Sequence, residues 1–297
     1  MPVLLRAAAA LALVLLAVSP FVLHVMQKRH NDLSFETETA FPPDRASVPG
    51  EVFATTLAVL IEHELDGVTG WRPNDIFLWG PGLWADNNAN RQLGIIQATR
   101  ESVRVLRDHL TKVSATEYDE NLVDADTRLR NDERKFWFPS AERRFREGAG
   151  ALRRYTAGLR AEPPTSKPIN RRNVELIRLF GAWTDLLGGA HANLYLEDAP
   201  FWSTDDYFYH AQGFAHVMYH LTLAVRREYR VELRERQTVL ELLDRVAHSL
   251  REAARLKPLM VLDGRPAGLF ANHRRNLDAY IVDARQLMYS IREELEK

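Results

Sequence analysis

Apolar residues recur at three- and four-residue steps along most of this chain. Val52, Phe53, Leu57, Leu60, Ile61 and Leu65 share one face and stop at Asp66-Gly67, which predicts an amphipathic helix with a natural end. Leu93, Ile96, Val103, Leu106 and Leu110 mark a second helix of about five turns, with Asn88 or Asn90 placed to cap its start. The same spacing predicts helices over 141–159, 174–187, 205–229, 231–256 and 272–295. Between them stand Pro163-Pro164, Pro168, Gly188-Gly189, Pro200, Pro258, Asp263-Gly264 and Pro266, residues that interrupt helices. Strand-like patterning is confined to Leu259-Met260-Val261-Leu262. No fixed-period similarity relates the helices, which excludes a repeat array.

One stretch breaks the amphipathic rule. Ala7 to Met26 contains no Asp, Glu, Lys or Arg, and a helix of that length spans the roughly 30 Å hydrocarbon core. A cleavable signal peptide is the competing reading. Its best small-residue site, Ala17-Val18-Ser19, is followed by Pro20, and the apolar run continues beyond it, so an uncleaved anchor is expected. Arg6 and the α-amine balance Lys28 and Arg29 across it, leaving positive-inside reasoning without a preference. A short leading tail that stays cytoplasmic sends the rest to the periplasm. Asn31 to Gly50 is polar and proline-containing, as a linker is. The expected organisation is all-α: a membrane anchor over 1–30, a linker over 31–50 and a multi-helix bundle over 51–297. The expected location is the bacterial inner membrane, single-pass, with lipid as the first partner.

Composition narrows the function. The formal net charge is -1 with a pI near 6.8, so the surface as a whole is no electrostatic trap for nucleic acid, and no nucleic-acid partner is expected. The absence of cysteine removes disulfides, thiolate metal sites and a cysteine nucleophile. No phosphate-binding GxxxxGK[ST], no GxSxG and no dinucleotide-binding GxGxxG after a strand is present. No cofactor and no catalytic residue is assigned, and the enzyme reading is the weaker one.

Three features remain as candidate chemistry. The loop GWRPNDIFLWGPGLWADNNANRQLG holds Trp71, Trp79 and Trp84 beside Asn74 and Asp75; large aromatics in a loop are buried, lie at a membrane interface or contact a partner. Asp86, Asn88 and Asn90 occupy the first, third and fifth positions of a calcium-loop register, but Arg91 and Gln97 stand where glycine and glutamate are needed. Turns and a cap explain them better. Second, His216 and His220 lie four apart on the predicted 205–229 helix, with Asp205 near the same face, a spacing able to grip zinc. Val217 follows His216, so the HExxH motif is absent, and no metal is assigned. Ser203 to Asp206 reads as that helix's start, with a hydroxyl cap and two acids. Gly213 inside it predicts close approach of another helix. Third, Arg143, Arg146, Arg153 and Arg154 cluster on one face opposite Phe145, Leu152 and Leu159, a surface suited to lipid headgroups or an acidic partner.

With GWRPNDIF, DNNANRQLG, FPSAERRFREG and GRPAGLFANHRRNLDAY in place, the chain from about Gly50 onward resembles a bacterial membrane-anchored family catalogued as domain of unknown function 2333. The resemblance implies a Gram-negative envelope protein with one N-terminal membrane helix; it brings no catalytic residue. The expectation is an envelope scaffold or accessory subunit acting by contact with an envelope protein. Its binding residues are expected at Trp71, Asn74, Asp75, Trp79, Trp84, Arg143, Arg146 and Arg153. The alternatives are a metal-dependent hydrolase using His216 and His220, and a sensor domain that stacks a small molecule on the tryptophans.

Overall fold

A computed structural model describes residues 2–67, 70–75, 86–111, 117–196, 200, 203–258, 260–264 and 271–297; within the first helix the side chains at 2, 20, 21, 23, 24 and 27–30 fall outside that description. The described residues are all-helical apart from one isolated bridge between Asp263 and Asn272. In chain order they form α1 (Pro2–His30), the short α2 (Thr37–Ala40), α3 (Glu51–Asp66), α4 (Asn87–Val105), a π-helical turn at Leu106–Leu110, and α5 (Glu120–Leu129). Then follow α6 (Ala141–Arg160), α7 (Asn173–Leu194), α8 (Thr204–Glu228), α9 (Gln237–Arg255) and α10 (His273–Glu296).

α8 is the axis of the bundle. Phe208, Ala211, Phe214, Ala215, Val217, Met218, Leu221, Ala224 and Val225 are buried around its circumference, as a helix apolar on several faces requires. It packs on α3, α4, α7 and α9, while α10 covers α7 and α9, and α6 joins α3 to α5. As Gly213 predicted, α4 and α8 cross closely: a Cβ on Gly213 would overlap the Arg91 carbonyl, and one on Gly94 the His210 carbonyl.

Several expected boundaries move. Gly188-Gly189 does not break α7, because glycine costs only about 1 kcal/mol in a helix, and the space at Gly188 admits the Arg285 guanidinium, whose Nε donates to the Thr184 carbonyl at 3.0 Å. α4 begins at Asn87 and takes Asn88 and Asn90 inside it, so neither is a cap, and Asn90 Nδ2 donates to Asp206 Oδ1 instead. Ser203 stands at the N-cap of α8 without a side-chain cap bond. The expected 231–256 helix starts only at Gln237, after a turn through 229–235. α5 is additional: three buried apolar positions, Leu122, Ala125 and Leu129, suffice for it because Asp119 caps its start by accepting from the Asn121 and Leu122 amides.

The alternating helices gather their ends into two sets. At one end Glu228 meets the start of α3, Arg160 pairs with Glu51, and Asn173 donates to the Leu295 carbonyl. At the other, Trp71 packs on Phe145, Asn90 meets Asp206, and Arg274 donates to the Asn193 and Leu196 carbonyls. α1 joins the bundle toward this second end, where Arg91 donates to the Asn31 carbonyl at 3.0 Å and Asp32 pairs with Lys257. Residues 31–50 then run along α8 toward the first end. Thr37 and Phe41 are buried on the way, Arg226 reaches Glu38, and Arg227 donates to the Phe41, Pro42 and Arg45 carbonyls. The side chains of α1 from Val3 to Val18 stand exposed. Among the described residues no helix is long and apolar enough to cross a membrane.

Candidate functional site

The segment after α3 is fastened to the bundle by side chains acting as backbone surrogates. Gln92, buried on α4, accepts from the Arg72 amide at 2.9 Å and donates to the Gly70 carbonyl at 3.0 Å. Trp71 is buried, its ring meets Phe145 edge-on at 4.9 Å, and its Nε1 donates to the Glu133 carbonyl at 2.8 Å. Asn74 donates to the Lys135 carbonyl and to Glu142 Oε2 at 2.9 Å. Asp75 pairs with Arg72 at 2.5 Å; burial raises its carboxyl above the usual range, Arg72 opposes that, and Glu142 adds to it. Residues 70–75 therefore clamp the 131–142 connection, and Trp71 and Asn74 are spent on the clamp. Trp79 and Trp84 lie outside the described residues.

The arginine face of α6 is neutralised within the same chain, by Glu147 of α6 itself and by carboxylates of α3 and α5. Arg143 pairs with Glu147, Arg146 with Asp66 at 2.8 Å, Arg153 with Glu62 at 2.5 Å and Arg154 with Asp124 at 2.7 Å. Such exposed pairs contribute little to stability, but they reduce the net charge offered to a partner.

His216 and His220 are buried on α8 with ring centroids 4.9 Å apart. His216 Nε2 and His220 Nδ1 have no hydrogen-bond partner. Burial, with Arg91 and a neighbouring histidine adding to it, holds His216 well below the ordinary imidazole value and His220 down at about 4. Beside them Arg91 and Glu64 form a buried pair at 2.9 Å. Asp205 sits eleven positions before His216, about 16 Å away along the axis at 1.5 Å per residue, which removes it as a shared ligand. Among the described residues no group of three or more His, Cys, Asp or Glu could hold a metal ion. Among the described residues the hydrolase alternative has no ligand set.

At the opposite end Glu228 is buried and its Oε1 accepts from the amides of Gly50, Val52 and Phe53 at 3.0, 2.8 and 3.2 Å. It serves as a distant cap for α3, whose own N-cap, Gly50, has φ 98° and no side chain to offer. Burial pushes this carboxyl up to about 7 against the pull of the three amides and Arg171. With Asp44, Glu228 borders a cleft of about 590 Å³ whose other charged lining residues are Arg45, Arg171, Arg227, Arg230 and Arg234.

Sequence reasoning passed over the most conspicuous surface feature. Phe136, Trp137 and Phe138, in the connection clamped by Trp71 and Asn74, are all exposed. Their signal was the unbroken aromatic triplet in KFWFP, preceded by the basic Arg134 and Lys135. Tyr195, Leu196 and Met260 are exposed in the other connections of that end.

A family model described as "Uncharacterized protein conserved in bacteria (DUF2333)" matches residues 3–189 and 188–297. No curated protein and no solved structure matches the chain.

Proposed function

Since the chain belongs to the bacterial DUF2333 family, a family whose description carries no activity, we propose a function drawn from this chain's own chemistry: a single-pass inner-membrane protein whose helical bundle works by contact, as a scaffold or accessory subunit of the envelope. The observation that carries the reading is the state of α1. Leu11, Leu13, Val14 and Leu15 are each more than half exposed, although such side chains favour burial by roughly 1.5–3 kcal/mol each. Something other than the bundle covers them, and the apolar run from Ala7 to Met26 matches a bilayer in length. Contact rather than catalysis is supported by the way the buried polar side chains are used. Glu64, Arg91, Gln92, Asn74 and Glu228 each bond to the chain itself. The contact region is assigned to the 70–90 connection and its surroundings, with Asp75, Arg143, Arg146 and Arg153 as its described polar rim and Trp71 and Asn74 as the residues that fix its position. Trp79 and Trp84 belong to the same connection by sequence.

The test has two arms. Alkaline carbonate washing should leave the full chain in the membrane fraction and release a chain lacking residues 1–30; release of the full chain overturns the anchor. A reporter fused after Lys297 should be active only when periplasmic, which assigns the bundle to that side. In vivo crosslinking that captures no membrane or envelope protein overturns the contact reading.

A further inference from the structure

Outside α1, six of the seven described large apolar side chains most open to water are gathered at one end of the bundle, the seventh being Val231 at the other. Phe136 is 49% exposed, Trp137 74%, Phe138 88%, Tyr195 51%, Leu196 47% and Met260 63%. They sit in three separate connections, from α5 to α6, from α7 to α8 and from α9 to α10, which an alternating bundle brings to the same end. A fully buried aromatic covers on the order of 150–250 Å², so at these exposures the triplet offers roughly 300–500 Å², the size of the largest apolar patch on a typical monomer, which is often functional.

What covers this end is indicated by three further observations. The end is the one toward which α1 is tethered, through Arg91 to Asn31 and Lys257 to Asp32. The residues preceding the triplet, Arg134 and Lys135, make no direct ion pair among the described residues, Arg134 acting on Asp206 only through space, whereas Glu133 of the same loop is turned onto Arg100 at 2.9 Å. Arg275 lies over the Tyr195 ring at 3.6 Å. Aromatic rings combined with unpaired cations, spread over the tips of several connections, suit a planar layer of headgroups better than the single groove that receives a protein segment.

We infer that the bundle stands on the bilayer by this end, with Phe136, Trp137 and Phe138 inserted at headgroup depth and Arg134 and Lys135 against acidic lipid. The inference rests on the membrane-anchor reading of α1 and extends it: one helix fixes the chain to the membrane and the aromatic end fixes its orientation. The arginine-lined cleft near Glu228 then faces away from the lipid, open to partners in the adjoining compartment.

The absence of cysteine makes the test direct. Phe138→Cys, Val231→Cys and Leu13→Cys each introduce one thiol at an exposed position, where the fold is not disturbed. Each full-length variant is labelled with an environment-sensitive fluorophore and reconstituted into vesicles of phosphatidylethanolamine and phosphatidylglycerol carrying a nitroxide at shallow acyl depth. The label at 138 should shift to the blue and be quenched severalfold more than the label at 231. Equal behaviour of 138 and 231, with the label at 13 quenched, overturns the inference while upholding the anchor, and hands the aromatic end to a protein partner. Quenching at 138 without quenching at 13 upholds the lipid seat and overturns the anchor. Quenching at neither position overturns both.

Discussion

The two ends of this bundle are finished in opposite ways. At the Glu228 end the chain satisfies its own helix termini: a buried carboxylate caps α3, Asn173 and Arg236 donate to the Leu295 and Glu294 carbonyls at the close of α10, and the Tyr229 hydroxyl donates to Asn170. At the α1 end the backbone is held just as firmly, by Gln92, Trp71, Asn74 and Arg274, yet the side chains pointing outward are apolar and uncovered. Rigid support beneath an exposed apolar surface separates a built contact face from a loose loop. Internal bonding and external covering are therefore independent properties of a connection, and substitutions can separate them.

The largest effect is expected beneath the contact face. Trp71→Ala removes a buried ring and its bond to Glu133, and by the usual cost of emptying an aromatic site should destabilise the chain by about 3–5 kcal/mol in urea unfolding in detergent. Trp71→Phe keeps most of the packing against Phe145 and should cost about 1 kcal/mol. A small loss for Trp71→Ala would mean that the clamp is not what holds the 131–142 connection.

Glu228 comes next. Glu228→Ala orphans three buried amides and should cost about 3 kcal/mol, while Glu228→Gln retains an accepting oxygen and should cost less. Their pH dependence separates them. The folded carboxyl titrates near 7, above its ordinary 4.5, so its favourable contribution is complete below 4.5 and is lost as pH rises through 7. Urea midpoints should therefore show the wild type losing on the order of 3 kcal/mol relative to Glu228→Gln between pH 5 and 8.

The histidines between the two ends act with the opposite sign. His220 titrates near 4 when folded and near 6.5 when unfolded, so its contribution is present above 6.5 and is lost as pH falls toward 4. With Glu228→Gln in place, stability should rise with pH up to about 6.5 and then level off; adding His220→Phe should remove its share of that rise and leave the share of His216, which burial also holds low. A wild-type slope surviving both changes would assign it to other groups.

The helices were legible because each needs only one apolar face, and that periodicity is local: Val52 to Leu65 and the 141–159 run announce themselves. α5 was not, since its few apolar residues depend on the Asp119 cap. The site was far less legible. Trp71 is buried because Phe145 arrives from a different helix, and the arginines of α6 are neutralised because Glu62, Asp66 and Asp124 come from α3 and α5. Nothing local distinguishes Glu228, the distant cap, from any other glutamate. The KFWFP triplet was passed over for another reason: aromatic residues ordinarily suit burial, and nothing local shows that these three stand exposed.

The smallest expected effect on stability is the one that most sharply separates support from covering. Replacing Phe136, Trp137 and Phe138 together by serine removes exposed rings and leaves the Trp71 and Asn74 clamp, which bonds only to main-chain atoms of Glu133 and Lys135 in that loop. Surface changes away from buried features usually fall within about 0.5 kcal/mol each, so the urea midpoint in detergent should hardly move. Binding tells a different story if these rings meet lipid. A chain lacking residues 1–30 but retaining the triplet should co-sediment with phosphatidylglycerol vesicles, weakly and less at high salt, and the serine variant should not. Were the triplet instead packed against another part of the chain, the same substitution would lower the midpoint by several kcal/mol, and the distinction between the two ends would disappear.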